Sequence, residues 1–411
     1  MGRTLTTLLL VLLLCAAARA QDAVRSSIAS ERAAEASKRA RSETHYNLDL
    51  DPVRLRFNAS LGAEYNDNVN LASTNQLADY IARPQIGVRA FWQVSDRNTL
   101  DLDLNFGYEY YFNEARPSRF TVTGDEGSGI FFDIYVGDFL IALHDQFSLS
   151  QDTSADPSIS GIADIFRLEN TLGTKVTWDL DKLVLEFNYD HYNYLPLDDT
   201  FRHLAHQSEL GSIRVAASLN PALVTGLELG GGTTRYTEPQ LSNNRHASLG
   251  PFAKYQLSQT TEVRASVGYT LYWFDASSVI TNETSQTGLY ADVALTHRPT
   301  ERTSQSLNFG QSLSTDINSS PIELLYVRYS ATFNIIRYWS FRPYVTFESG
   351  TESHSLVQED LTRYGAGLSV SRQLTEKLSG AVSYSLLKKT SSVPSLDYHQ
   401  NRLVLNLIYQ F

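Results

Sequence analysis

Cysteine and methionine are almost missing from this chain of 411 residues, which has one of each. The only cysteine, Cys15, lies in an apolar N-terminal segment, so the sequence offers no pair for an internal disulfide. Basic residues are also outnumbered, with 34 lysines and arginines against 45 aspartates and glutamates and a net charge of -11. This balance argues against nucleic acid as a partner, because a phosphate-binding protein needs a basic face.

Long apolar runs are missing beyond the first twenty residues, and the mean hydropathy of -0.25 argues against a bundle of transmembrane helices. The N-terminal segment has the order of a secretory signal peptide. Arg3 supplies the positive charge, Leu8 to Leu14 form the short apolar core, and a small-x-small cleavage site ends at Ala20. We therefore expect cleavage after Ala20 and export across the inner membrane of a Gram-negative cell.

The next segment, residues 21–52, is alanine-rich and charged on all sides. It has no wide apolar stripe, so the composition predicts a short helix or a disordered arm in the periplasm. This arm is either a solvated linker or a binding segment for a periplasmic partner. The predicted organisation is a signal peptide over 1–20, the arm over 21–52 and one large unit over 53–411.

Apolar and polar residues alternate with period two throughout the large unit, which predicts half-buried β-strands. From Leu100 to Phe112, leucines and aromatics hold every even position, whereas the odd positions are mostly Asp, Asn, Gly and Glu. The apolar face persists in strand after strand, with aromatics close to its ends, as a lipid environment requires. A soluble sandwich would instead have polar outer faces, and a propeller would show a blade repeat.

The connections between these segments alternate in length. Eight are short, such as 95–98 and 220–221, and nine are longer and polar, such as 66–79 and 151–161. Together they predict an all-β transmembrane antiparallel barrel of about 18 strands, with short periplasmic turns and longer extracellular loops. No loop exceeds about 16 residues, so a loop folded inward as a deep constriction is not expected.

The chain ends in a strand with apolar residues at alternate positions. Leu407, Tyr409 and the terminal Phe411 match the signal that the barrel-assembly machinery reads on bacterial outer-membrane proteins. The alternative is an ordinary last strand of a soluble sheet. Together with the signal peptide, this ending predicts location in the outer membrane, with lipid, lipopolysaccharide and the assembly machinery as partners.

Interior residues of such a barrel face water, so their chemistry decides what can pass. The two signs nearly balance, whereas a strongly selective ion channel would show a ring of one sign. Interior tyrosines offer an apolar ring face and a hydroxyl, which together can bind a sugar. Tyrosine is also common in strands for its β-propensity alone. The residues that strand parity predicts to line the pore are Arg54, Arg56, Arg89, Asp101, Asp103, Glu109, Tyr111, Glu186, Asp190, Arg264, Tyr290, Asp292, Arg328, Arg342, Tyr344 and Glu348.

No catalytic, metal or cofactor site is predicted. An outer-membrane hydrolase would need a nucleophile beside a positioned histidine. The adjacent pairs His144-Asp145 and Asp190-His191 cannot each form a dyad, because neighbouring strand residues point to opposite faces. The stretch from Tyr65 to Asn68 offers oxygen ligands for calcium, but turn geometry explains these residues without a metal.

The first strand and the segments after it resemble the beta-barrel porin 2 family. The resemblance is carried by LRFNASLGAEYNDNVNLA and DYIARPQIGVRAFWQVSDRNTLDLDLNFGYEYY, within about residues 55–112. Some members belong to exopolysaccharide gene clusters, so the resemblance implies exopolysaccharide export, with the polysaccharide and a periplasmic export protein as partners. The residues themselves leave two alternatives, which are a general diffusion porin for small polar solutes and a structural or surface-binding barrel without transport.

Overall fold

The computed structural model describes residues 46–122, 128–152, 156–162, 164–277, 284–334, 336–352 and 358–411. The predicted signal peptide and residues 21–45 of the predicted arm lie outside these ranges. Among the described residues, no helix is long and apolar enough to span a membrane. The described chain is almost entirely β-sheet, with short 3₁₀ helices at Asp199–Leu204 and Pro394–Leu396.

Within the described residues, twenty strands form one antiparallel sheet. In chain order they are β1 Leu48–Leu50, β2 Val53–Asn66, β3 Asp79–Gln93, β4 Thr99–Tyr111, β5 Arg119–Val122, β6 Ser128–Val136, β7 Phe139–Ser150, β8 Arg167–Asp179, β9 Leu183–Pro196, β10 His206–Asn220, β11 Leu223–Tyr236, β12 Asn244–Ser258, β13 Thr261–Phe274, β14 Thr284–Thr300, β15 Thr303–Thr315, β16 Pro321–Phe333, β17 Trp339–Glu352, β18 Asp360–Gln373, β19 Leu378–Ser391 and β20 Tyr398–Gln410.

The sheet closes on itself through β2 and β20, which pair from Asn58 and Gln410 to Asn66 and Arg402. Two short strands do not add to the circumference. β5 and β6 pair with successive parts of β4 and take the place of one strand, and β1 folds back on the start of β2. The barrel wall therefore has eighteen strands, which confirms the predicted fold. Strand β1 corrects one expectation, since the end of the predicted arm is strand and not helix or disordered chain.

Short and long connections lie at opposite ends of the barrel. Eight connections of two to five residues join strands at one end, called the turn end, and nine of five to sixteen residues join them at the other, called the loop end. Gly137 shows why turn residues matter here, because its φ of +58° between β6 and β7 is a conformation that favours glycine. The predicted alternation of connections is confirmed.

Large apolar side chains cover the outside of the barrel. On β4, Phe106, Tyr108 and Tyr110 are 36%, 43% and 48% exposed, whereas Asp101 on the opposite face is 2% exposed. This arrangement inverts the plan of a soluble protein and fits a wall surrounded by lipid. The buried apolar clusters lie inside the barrel towards the loop end. One of them includes Ile159, Ile165 and Leu204, which belong to connections and not to the wall.

Candidate channel interior

Strand alternation assigns all sixteen residues predicted to line the pore to the face opposite the apolar outside of the barrel. Whether they line an open path for solutes stays a prediction. Most of them contact a partner of opposite charge or a hydroxyl. Arg54, Arg264 and Arg342 are exposed close to the turn end. Arg264 Nε donates to Glu262 there at 2.8 Å.

The first cluster of interior charges crosses the closing seam of the barrel. Glu64 on β2 lies between Arg402 on β20, at 2.9 Å from Nε to Oε1, and Arg83 on β3. Arg83 Nε also donates to Glu109 on β4 at 2.7 Å. Glu64 is 3% exposed, so these partners compensate a carboxylate that has lost its water. We call these four residues the seam cluster.

A second row of charges crosses four neighbouring strands on the interior face. Lys175 Nζ on β8 lies 2.9 Å from Glu186 on β9, and Arg214 on β10 lies 3.3 Å from Glu186 and 2.7 Å from Glu228 on β11. The guanidinium of Arg214 also lies over the ring of Phe252, at 5.0 Å from its centroid. The alternating signs give this wall little net charge.

A third cluster lies on β16 to β18. Glu348 accepts from Arg328 Nη2 at 3.1 Å and from Arg363 Nε at 2.7 Å, and its side chain is 3% exposed. Arg89 Nε on β3 makes a similar contact with Asp103 on β4 at 3.1 Å. Pairs of this kind fix the side chains of the wall. They also leave few unpaired charges to select ions by sign.

One buried pair depends on a glycine between its two strands. His144 on β7 and Asp190 on β9 lie 2.8 Å apart, and both side chains are essentially inaccessible. Gly173 on β8 is in register with both residues. A Cβ at Gly173 would lie 2.1 Å from Asp190 Oδ1 and 2.7 Å from His144 Nε2. The contact across β8 therefore requires a residue without a side chain at this position.

This contact shows how the two adjacent pairs noted in the sequence, His144-Asp145 and Asp190-His191, are arranged. Asp145 and His191 point outward, whereas His144 and Asp190 point inward, as strand alternation predicts. The histidine and the carboxylate that meet thus come from different strands.

In the connection between β7 and β8, the described residues are 151–152, 156–162 and 164–166, and they contact other connections at the loop end of the barrel. Gly161 N donates to Leu71 O at 2.9 Å, and Ser160 Oγ donates to Leu396 O at 2.9 Å. Lys389 Nζ on β19 also reaches Ser160 Oγ, at 3.1 Å. The connection thus contacts loops and strands several positions away from the strands that it joins. We call the described residues of this connection the crossing loop.

Apolar contacts hold the other side of the crossing loop. Ile159 and Ile165 are 5% and 0% exposed and pack in one cluster with Tyr194, Leu204 and Leu241. These contacts join the crossing loop to the other connections at the loop end. The expectation that no loop forms a deep constriction stays a prediction.

The two ends of the interior differ in accessibility. At the turn end, the side chains of Arg54, Lys254 and Arg264 are 50%, 43% and 54% exposed. Towards the loop end, Lys389 and its partner Glu359 are 0% and 2% exposed. The interior is thus open to solvent at the turn end and packed towards the loop end, where the crossing loop lies.

The packed region includes carboxyl groups with altered protonation. Burial raises the pKa of Asp164 in the crossing loop, although Arg116 and Arg119 act in the opposite direction. Burial and the carboxylates of Glu352 and Asp156 raise the pKa of Asp316, in the connection between β15 and β16, well above its ordinary value. Ser320 N donates to Asp316 Oδ1 at 2.5 Å. These groups place titratable carboxyls in the packed region towards the loop end.

Three residues with buried polar contacts were missed in the sequence. Arg83 completes the seam cluster, and its parity on β3, shared with Arg89, was the signal that could have found it. Lys389 had the same signal, because parity with the outward Tyr384 and Leu386 puts Lys388 outside and Lys389 inside. Arg116, in a connection, could not be assigned to a face by parity, yet its Nη2 donates to Val69 O at 2.8 Å.

The stretch from Tyr65 to Asn68 stabilises the seam. Asn66 Oδ1 accepts from Asn68 N at 3.1 Å, which is an Asx-type turn. Asp67 accepts from Asn401 Nδ2 on the neighbouring end of β20 at 2.6 Å. These contacts agree with the turn interpretation of the sequence. Within the part of the chain that the structure describes, no group of three or more His, Cys, Asp or Glu residues could hold a metal ion.

No protein-family model matches this chain, and no curated protein matches it. The beta-barrel porin 2 resemblance is therefore not confirmed. Solved structures do match. The outer membrane protein OpdK from Pseudomonas aeruginosa has a TM-score of 0.52 at 10% identity, over 87% of this chain and 99% of that one. This chain has the fold of an outer-membrane channel.

Two further structures support the same fold. P. aeruginosa OpdK with vanillate has a TM-score of 0.50 at 12% identity, over 87% of this chain and 99% of that one. P. aeruginosa OccK5 (OpdH) has a TM-score of 0.51 at 10% identity, over 88% and 99%. At these identities the outer-membrane channel fold is shared, whereas the substrate cannot be transferred from one protein to another.

Proposed function

We propose that this chain is a porin in the bacterial outer membrane through which small polar solutes diffuse. A closed barrel with apolar residues outside and paired charges of both signs inside supports this function. The observation that carries it is the crossing loop, which packs across the loop end of a barrel whose interior charges are exposed at its turn end. A polar lumen packed at one end suits small solutes.

Exopolysaccharide export, which the family resemblance implies, has less support. The channels of similar fold do not support it, and one of them was solved with vanillate, a small molecule. A polymer would also have to displace the crossing loop from its buried apolar cluster. The general diffusion porin, an alternative left open by the sequence, therefore fits better.

The predicted signal peptide and the C-terminal Phe411 support the outer membrane as the location. In the usual orientation of such barrels, the turn end faces the periplasm and the loop end faces outward. Solutes entering from outside would then meet the packed loops and the crossing loop before reaching the wider, charged turn end. Solutes would therefore be selected by size at the loop end, before they reach the turn end.

Refolded or membrane-extracted protein in planar bilayers tests this function directly. We expect stable single-channel conductance with weak ion selectivity, because the interior charges are paired. Liposome swelling should be fast with monosaccharides and slow with oligosaccharides of increasing size. Folded protein without conductance would favour the structural or surface-binding barrel. Passage of long polysaccharide at the rate of small sugars would favour export.

A further inference from the structure

A polar strip interrupts the apolar outside of the barrel on four neighbouring strands. It consists of Asp145 on β7, Asn170 on β8, His191 and Asn193 on β9, and Glu209 on β10. The strip is continuous, because Asn170 is in register with Asn193, and His191 with Glu209.

Asp145 lies deep within the apolar surface. Its nearest outward neighbours across the sheet are Ile130 and Leu172, which are 43% and 54% exposed. The stacked rings of Phe139 and Trp178, 5.2 Å apart, mark the turn end of these strands. Asp145 is six residues further along β7. At about 3.4 Å per residue and a tilt near 40°, that is about 15 Å, inside an apolar band about 25 Å tall.

The strip is hydrogen-bonded within itself. Asn170 Nδ2 donates to Asp145 Oδ1 at 2.5 Å, and His191 Nδ1 lies 2.9 Å from Glu209 Oε1. Tyr189 on β9 also donates to Glu209, at 2.5 Å. These bonds use only part of the hydrogen-bonding capacity of the two carboxylates and two side-chain amides in the strip. Lipid acyl chains cannot form the remaining hydrogen bonds.

At the depth of Asp145, the opposite wall of the barrel has no outward carboxylate among its described residues. On β16 to β18 the outward positions are apolar there, including Val327, Phe347 and Leu368, and Val327 is in register with Phe347. Polar outward residues on this wall, such as the paired Ser349 and Thr362, lie nearer the loop end. A carboxylate at the depth of Asp145 is therefore not shared by the opposite wall.

We propose that the polar strip on β7 to β10 is an interface at which a second copy of this chain packs in the membrane. A closed barrel has no free sheet edge, so copies can associate only through their outer faces. The strip carries acceptors on its carboxylates and both donors and acceptors on its amides. Two copies related by a two-fold axis would thus complement each other. The exposed Ile130, Leu143 and Leu172 beside it add apolar area.

This interface depends on the barrel lying in a membrane, as the proposed function also requires, but it does not depend on solute passage. A chain that forms the interface without conducting would separate the two proposals. Lipopolysaccharide is the other candidate occupant, since its sugars and phosphates can hydrogen-bond at the upper part of the strip. The strip extends down to Asp145, where only acyl chains of a lipid would reach, which favours a second protein.

Cysteine cross-linking in intact outer membranes tests the interface. In a Cys15→Ser background the chain has no other cysteine, so Leu172→Cys introduces a single thiol beside the strip. The matched control is Leu325→Cys on β16, which is 46% exposed on the opposite wall. After copper phenanthroline oxidation, we expect several-fold more disulfide-linked dimer for Leu172→Cys than for the control. Equal, low yields from two folded, heat-modifiable variants would overturn the interface.

Two further measurements sharpen the result. Adding Asp145→Leu to Leu172→Cys should lower the dimer yield several-fold, whereas Asp145→Asn, which keeps hydrogen-bonding capacity, should lower it less. A yield unaffected by Asp145→Leu would contradict a role for the strip.

A photoreactive benzophenone maleimide on Leu172→Cys identifies the neighbour. An adduct of twice the chain mass supports the second copy, and a lipopolysaccharide adduct in its place refutes it.

Discussion

Ile165 offers the sharpest test of the crossing loop as a constriction. Its side chain is 0% exposed and packs with Ile159, Tyr194, Leu204 and Leu241. Ile165→Ala removes three buried carbons from this cluster, which costs about 2–5 kcal/mol when a core cannot collapse around the gap. If that cost acts on docking of the loop, even about 2 kcal/mol shifts the ratio of undocked to docked loop by roughly 30-fold.

Single-channel recording in planar bilayers is the assay. We expect Ile165→Ala to raise the mean conductance and to add current fluctuations as the loop leaves and re-enters its position. Ile86→Ala is the matched control, because the same truncation is made at a side chain that is 57% exposed on the outside of the barrel. Its conductance should match that of the original chain. An Ile165→Ala variant with lower thermal stability but unaltered conductance and noise would refute the argument, since the cluster would then support only the barrel.

Three other perturbations address the interior wall and the loop end. Arg83→Met leaves Glu64 and Glu109 short of one partner, so we expect a loss of about 3–5 kcal/mol, measured as a lower temperature of heat-modifiable unfolding. Gly173→Ala places a Cβ against the buried His144–Asp190 pair, and loss of that charged hydrogen bond should cost about 1.5–3 kcal/mol in the same assay. The pKa of Asp316 is raised when the 316–320 connection is packed. Packing is therefore strongest below pH about 4, where the carboxyl is protonated in both the packed and the unpacked state. As the pH rises through the raised pKa, the packing of the connection weakens. Asp316→Asn should remove that weakening, as measured by protease cleavage of the connection across this pH range.

Each of these predictions has its own control. Arg54→Met changes an interior arginine that is 50% exposed, and it should cost much less than Arg83→Met. For Gly173→Ala the control is Gly211→Ala, whose Cβ would meet only Asn188 O at 3.8 Å. Equal losses of stability in the two arginine variants, or in the two glycine variants, would contradict the argument that burial sets the cost. For the Asp316 prediction, cleavage that is independent of pH in the original chain would show that this carboxyl does not control the packing.

The wall of the barrel was predictable because its information is local. Alternation with period two, as in Leu100 to Phe112, assigns each residue to a face without any knowledge of its neighbours in space. Short connections rich in Asp, Asn, Pro and Gly give the antiparallel order, and the count of seventeen connections gives eighteen strands. Closure of β2 on β20 follows from the environment, because no open edge is stable in lipid.

Strand parity predicts which residues face the interior, but it does not predict which of them contact each other. Parity assigns Glu64, Glu109 and Arg402 to one face, but register decides that Arg83 lies between the two carboxylates. A shift by one residue would move every one of these groups to the outside. His144 and Asp190 are 46 residues apart in sequence and meet only because Gly173 lies between their strands. No local pattern encodes either contact.

By itself the sequence determined the class of fold, the number of strands and the sign and position of the charges, since these follow from a repeat of two residues and from the chemistry of each side chain. The path of the crossing loop, the partners of the buried charges and the polar strip on one outer side were decided by the tertiary structure alone. Such features bring together residues from distant strands, and their energies depend on burial and on distances of a few ångströms, which exist only after the barrel has closed.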